Sequence, residues 1–381
     1  MKKYLLVLLF IFAKSSFGQD LKTARKVVDT LSSREMWGRG YTKDGMGKAA
    51  NFISSEFASY GLLPMSGKDF KQTFTYPANT FPGAMTLRIN GKLLVPGRDF
   101  LVSPESMGQR VKGVLIQKDS ITFINAEHRL LLILKDKLTW SVAPEAADYT
   151  IIEVDRKAIA APPENIELHM ENKLIPAFPA SNICAMVKGN TKPDSILLIT
   201  AHYDHLGSMG KDTYFPGAND NASGIALLLN LAAYYSKNPQ PYTMAFICFA
   251  GEEIGLKGSK YFTEHPLIEL SKIRFLTNVD MVGTGENGIT VVNATILPKE
   301  FALLQQINQD KKYLSKINSR GKAANSDHYY FTEKGVPAFF MYTQGGIAAY
   351  HDINDQATTL PLTEFEDLFK LFVDFNAGLM K

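Results

Sequence analysis

Cysteine is nearly missing from this chain: its 381 residues include two, Cys184 and Cys248. Each lies inside an apolar, strand-like run with no Cys-x-x-Cys pattern around it, which excludes a cysteine nucleophile. The two thiols read as unpaired small hydrophobes of the core. A surplus of one charge is missing too. The 41 Lys and Arg against 38 Asp and Glu leave a net +3, with no basic block or stripe, so nucleic acid is excluded as a partner. Long hydrophobic runs are also absent. Leu5 to Ala13 breaks at Lys14, well short of the roughly 20 apolar residues a membrane helix needs.

That short run follows Met1-Lys2-Lys3 and precedes the small residues Ser16 and Gly18, the pattern of a secretory signal peptide over residues 1–18. No cysteine near the cut invites a lipid, so the expected mature chain is exported, periplasmic or secreted, with no stable membrane anchor. The remainder is 45% hydrophobic and 21% charged, an ordinary globular balance for one large domain or a domain with an insert.

Residues 19–69 carry two helical stripes, Val27, Val28 and Leu31, then Ala49, Ala50, Ile53 and Phe57, around a glycine loop at Trp37-Gly38-Arg39-Gly40. Residues 70–179 change texture to short apolar runs between turn residues, including a hairpin signal at Asn90-Gly91, and read as a β-rich insert. Residues 180–381 alternate strands (181–188, 195–201, 242–249, 274–279) with helices, the first over 221–235. The fold class is α/β: a mixed, mostly parallel central sheet flanked by helices, with ligands expected at strand carboxyl ends.

Those ends carry His202, Asp220, the pair Glu252-Glu253 and Asp280, and His351 follows late in the chain. Together they offer three carboxylates, two imidazoles and one spare glutamate, enough nitrogen and oxygen ligands for two zinc ions with one Asp bridging. Adjacent glutamates point apart, so one can bind metal while the other works as acid and base. A water shared by two cations loses its proton near neutral pH, which suits metal-assisted hydrolysis. Asp204 is placed to hold the second nitrogen of His202. His128 and His169 have no partner ligands at useful spacing and read as ordinary polar residues.

The set His202-x-Asp204, Gly217-Ala-Asn-Asp220, Phe249-Ala-Gly-Glu252-Glu253, Asn278-Val-Asp280, Ser326-Asp-His328 and Tyr350-His351 closely resembles the co-catalytic zinc aminopeptidases, a family that also includes plasma glutamate carboxypeptidase-like enzymes and zinc glutaminyl cyclases. The resemblance implies a zinc-peptidase, phosphorylase/hydrolase-like fold. It implies one zinc beside His202 and Asp280, another beside Glu253 and His351, Asp220 shared, Glu252 as general base and a cis peptide after Asp220. It further implies that Asp327, His328 and Tyr350 line the substrate pocket and that residues 70–179 form a protease-associated-like lid. His205 is supporting or structural.

The activity implied is removal of amino-terminal residues from short peptides with a free amino terminus. Glutaminyl cyclisation and carboxypeptidase or dipeptidase action are the alternatives on the same scaffold. A non-catalytic binding protein is disfavoured because no expected ligand is missing.

Overall fold

The computed structural model describes residues 21–381, so the expected signal segment at 1–18 lies outside the described residues. Nine strands form the main sheet: β1 (Leu63–Pro64), β2 (Lys71–Thr80), β3 (Lys173–Val187), β4 (Lys192–His202), β5 (Tyr242–Phe249), β6 (Ile273–Val279), β7 (Ile289–Val292), β8 (Ile317–Ser319) and β9 (Ala338–Thr343). They lie in the order β1-β3-β5-β4-β6-β9-β7-β8, with β2 also paired to β3. The four central strands β5, β4, β6 and β9 pair in parallel. Antiparallel β3 and β7 flank them. The sheet is therefore mixed, as the alternation of strands and helices predicts, with its parallel pairing concentrated in the centre.

Central parallel strands are buried on both faces, and their sequences show it. Ser195 to His202 of β4 are all buried. Leu197, Ile199 and Ala201 point into one core with α1 (Leu21–Leu31), α2 (Gly45–Ser59) and α3 (Gly224–Lys237). Ile196 and Leu198 point into the other, against Phe262 of α4 (Lys257–Glu264) and Phe331 of α6 (His328–Glu333). Helices α5 (Pro298–Lys311) and α7 (Phe365–Leu379) complete the first layer. Cys184 and Cys248 are buried and unpaired.

Between Thr86 and His169 the chain builds two smaller sheets, one of five strands and one of four. They share a core of Leu87, Val102, Leu132, Ile152 and Ile166, to which Leu206, Met209 and Phe215 of the main body also contribute. The Asn-Gly hairpin forms between Thr86–Ile89 and Lys92–Leu94. Asn90 and Gly91 both take positive φ, 49° and 81°, as a two-residue turn of this hand requires. Among the described residues no helix is long and apolar enough to cross a membrane.

One helix starts later than its periodicity suggests. Residues 218–223 form an irregular turn, with Asp220 and Asn221 outside helical φ/ψ and a cis peptide between them. Regular helix begins at Gly224, whose N–H is capped by Asn221 Oδ1 at 2.9 Å.

Candidate metal centre

The strand ends converge. His202 is the last residue of β4, Asp280 follows β6 directly, and Glu252 and Glu253 follow β5 by three and four residues. Asp220 comes from the turn before α3 and His351 from the loop between β9 and α7. His202 Nε2 lies 3.4 Å from Asp220 Oδ1 and 3.3 Å from Asp280 Oδ2. His351 Nε2 lies 3.2 Å from Asp220 Oδ2 and 3.2 Å from Glu253 Oε2. The two oxygens of Asp220 thus face opposite halves of the cluster.

Both imidazoles are oriented by main-chain carbonyls. His202 Nδ1 donates to Asp204 O at 3.1 Å and His351 Nδ1 to Trp140 O at 2.9 Å, which leaves each Nε2 pointing into the cluster. Here the expectation for Asp204 needs correcting. Its carboxylate stands 3.8 Å from His202 Nδ1 and instead accepts the N–H groups of Glu252 at 3.1 Å and Glu253 at 3.3 Å. The reason is that the β5 loop folds back over Asp204, so the side chain shapes the glutamate loop while the carbonyl orients the ring. His205, buried, reaches Glu253 Oε1 at 2.6 Å and is a supporting partner of that carboxylate.

The turn bearing Asp220 is gripped from below. Asp355 accepts the N–H groups of Asn219 and Asp220 at 2.8 and 3.0 Å. Arg39, fully buried, spends all five guanidinium N–H groups on the carbonyls of Tyr203, Leu31, Pro216, Gly217 and Asp220. Its neighbours are glycines by necessity: a Cβ on Gly38 would stand 2.2 Å from Gly207 O, and one on Gly40 2.3 Å from Gly207 Cα. The motif that reads as a loop in sequence is a clamp on the loops around Asp220.

Burial and mutual repulsion set the carboxylates apart. Burial pushes Glu252 well above the ordinary carboxylate range, with Asp327, Glu253 and Asp280 adding to it against His202. Burial also raises Asp280. For Asp220 burial is outweighed by hydrogen bonds from His202 and His351, which hold it well below that range. Burial and Asp220 oppose ionisation of Glu253, yet His351 and His205 bring it down to about 2.

Four carboxylates crowded together call for cations. Asp280 Oδ1 is buried with no hydrogen-bond partner among the described residues. One donor from each of His202, Glu252 and Asp280, and likewise from each of His202, Asp220 and Glu253, lie within 4.8 Å of one another. The second set bridges the two halves seen in the ion-pair distances, which assign Glu253 to His351; the shorter contacts define the halves. Imidazole nitrogens with carboxylate oxygens and no thiolate suit zinc.

A cleft of about 320 Å³ opens onto this cluster. Tyr350 lines it, its ring stacked on His351 at 4.0 Å between centroids. Asp327 and His328 do not, contrary to expectation: both are fully buried. Asn278 of β6 donates to Ser326 Oγ at 2.8 Å and draws the segment under the sheet, where the His328 ring packs behind Phe340. Burial lowers His328 to about 4, so it is a neutral packing residue. Phe340, Met281, Arg320, Asn325 and Tyr342 line the cleft without any sequence motif to announce them.

The sequence model of peptidase family M28 matches residues 182–375, more than half of the chain. The chain belongs to peptidase family M28. Aminopeptidase YwaD of Bacillus subtilis is 30% identical to it over 152 residues, 39% of this chain and 32% of that protein. A probable zinc metalloprotease of Pyricularia oryzae is 35% identical over 118 residues, 29% of this chain and 24% of that protein. The matched segments thus span about a quarter to a third of these relatives' own length. Two solved structures share the fold over nearly the whole molecule. A zinc aminopeptidase from Bacillus subtilis superposes with a TM-score of 0.68 at 20% identity, covering 94% of each chain. An aminopeptidase from Aneurinibacillus gives 0.66 at 20% identity, covering 94% of this chain and 93% of that one. The M28 match includes every residue of the cluster.

Proposed function

We propose that this chain is an exported zinc-dependent aminopeptidase that removes amino-terminal residues from short peptides. The observation that carries this reading is Asp220, whose two oxygens face His202 with Asp280 on one side and His351 with Glu253 on the other. That donor arrangement suits two zinc ions, which would polarise the scissile carbonyl and lower the pKa of water.

The residues of the chain do the rest. Glu252 lines the cleft and is free of the His351 half; cations held by the neighbouring carboxylates would offset the burial and repulsion that raise it and leave it ionised, so it is the group to accept a proton from the attacking water and return it to the departing amine as the C–N bond breaks. Tyr350, whose phenol is kept protonated by burial and the nearby carboxylates, serves as a donor to the carbonyl oxygen. The carboxylates at the floor favour a substrate's α-amine, and a cleft at the small end of ligand pockets favours chain ends over long segments. The β-rich unit acts as a cover, since Lys137 donates to Ala348 O at 3.1 Å on the loop that carries Tyr350 and His351. Export rests on the positive start and short apolar run before Gln19.

The test is a digest of paired peptide libraries, with free and acetylated amino termini, by the purified zinc-loaded chain. Shortening of the free set alone, one residue at a time from the amino end, is the expected result. Cleavage from the carboxyl end, or cyclisation of amino-terminal glutamine without cleavage, would overturn it.

A further inference from the structure

We propose that Arg320 is a specificity residue that binds a substrate carboxylate on the departing side of the cleaved bond, so that the favoured substrates are very short, acidic-ended peptides. This rests on the peptidase reading of the same cleft and narrows its substrate class.

Among the described residues lining the cleft, four are carboxylates, Asp220, Glu252, Glu253 and Asp280, and Arg320 is the one arginine or lysine. Asp220, Glu253 and Asp280 are committed to the imidazoles of His202 and His351. Arg320 makes no ion pair with any described residue; its side chain's hydrogen bond is from Nη1 to Tyr342 Oη at 3.2 Å. A guanidinium has five donors, and this one leaves its fork open for a bidentate carboxylate contact. Its base is fixed. Arg320 N donates to Val291 O at 2.9 Å just beyond the pairing of β8 with β7, and Asn318 donates to Gln344 Oε1 at 3.1 Å and to Ile289 O at 3.2 Å. Tyr342 is backed by the Phe340 ring at 5.3 Å.

A peptide that places its α-amine among the floor carboxylates therefore meets a cation elsewhere on the same wall. In a cleft of about 320 Å³ the first anionic group available after the scissile bond is the carboxylate of a dipeptide, or an acidic side chain at the second position. Both present the same planar pair of oxygens.

The experiment measures kcat and KM of the zinc-loaded enzyme on Ala-Gly, Ala-Gly amide and Ala-Asp amide. The expected result is a KM about tenfold lower for Ala-Gly than for its amide, the size of a partly solvent-screened charge-assisted contact. R320Q should erase that ratio, and R320K should keep part of it. Rescue in Ala-Asp amide would assign the side chain as a second source of the carboxylate; no rescue would restrict Arg320 to the chain end. Equal KM for acid and amide, or an R320Q loss shared equally by both, would overturn the proposal while leaving the peptidase reading intact. Calorimetry with the reduced-bond analogue of Ala-Gly and its amide reads the same preference as a ratio of Kd without turnover. A protein that binds acid over amide but cleaves nothing would keep Arg320's role and sink the peptidase reading instead.

Discussion

The main chain of Trp140 holds His351 by both backbone and ring: Trp140 N–H donates to the His351 carbonyl at 2.8 Å, and Trp140 O accepts from His351 Nδ1 at 2.9 Å. A residue of the β-rich unit thereby orients an imidazole of the candidate metal centre 211 positions away. The Trp140 indole is itself fixed, stacked on Phe215 at 4.6 Å and donating to Val102 O at 2.7 Å. Trp140→Ala frees that segment. The expected outcome is a metal affinity about 10- to 100-fold weaker for one of two ions, the usual effect of losing a partner that orients a ligand. Metal titration followed by elemental analysis checks it; two ions held with unchanged affinity would sink it.

Glu252 and Glu253 should separate cleanly. Glu252→Gln is expected to retain metal while losing turnover by about 10² to 10⁴-fold, the range for removal of a general base. Glu253→Ala removes a group 3.2 Å from His351 Nε2 and is expected to lose metal as well. Elemental analysis beside kinetics distinguishes them, and a fully active Glu252→Gln would remove it from the mechanism.

Loading with zinc should expel a proton. In the metal-free protein burial opposes charge on His351, but Glu253 and Asp220 prevail and raise it from 6.5 to about 11. His202 is raised well above its ordinary value too, and each Nε2 must be bare to bind metal, so at least one proton leaves at neutral pH and zinc affinity climbs with pH. Calorimetry in buffers of different ionisation heat measures the release; none observed would refute the assignment of His351. The same shifts bound metal-free stability. The His351 contribution is fully present below about 6.5 and is lost as pH rises through about 11. The Glu253 contribution is present above about 4.5 and is lost as pH falls through about 2. These two contributions are therefore both whole only between about 4.5 and 6.5, and the melting temperature of His351→Gln or Glu253→Gln relative to the unaltered metal-free chain is expected to fall most in that window.

Arg39→Lys should destabilise strongly. Burial lowers the guanidinium to about 10, still protonated at neutral pH, and its five donors serve five carbonyls. An ammonium has three, so at least two charge-assisted bonds are lost in a fully buried place, for about 3 kcal/mol or more. Chemical denaturation checks this, and a change below about 1 kcal/mol would mean that water replaces the missing donors.

The sequence discloses the cluster because strand ends are local features. His202 and Asp280 stand where buried apolar runs stop, and such runs must stop at the sheet's carboxyl edge. What sequence does not disclose depends on contacts between distant segments. The direction of Asp327 and His328 is decided by the bond from Asn278 to Ser326. Asp204 turns its carboxylate to the glutamate loop because β5 brings that loop over it. Arg39 lies in a recognisable Gly-Arg-Gly, but nothing local says that its partners are five carbonyls in three other segments. Trp140 has no signature at all, since its role is played by main-chain atoms.

β3 is a single fifteen-residue strand with two allegiances: it pairs with β2 over most of its length and with β5 only from Ile183 onward. The β-rich unit and the main sheet are consequently spliced into one piece of backbone. Excising the β-rich unit by joining the chain across its base would strip the flank from β5 unless that last stretch were spared, and a bare flank invites pairing with other molecules. Shortened versions of this protein should accordingly be cut back no further than the residues that still hold β5.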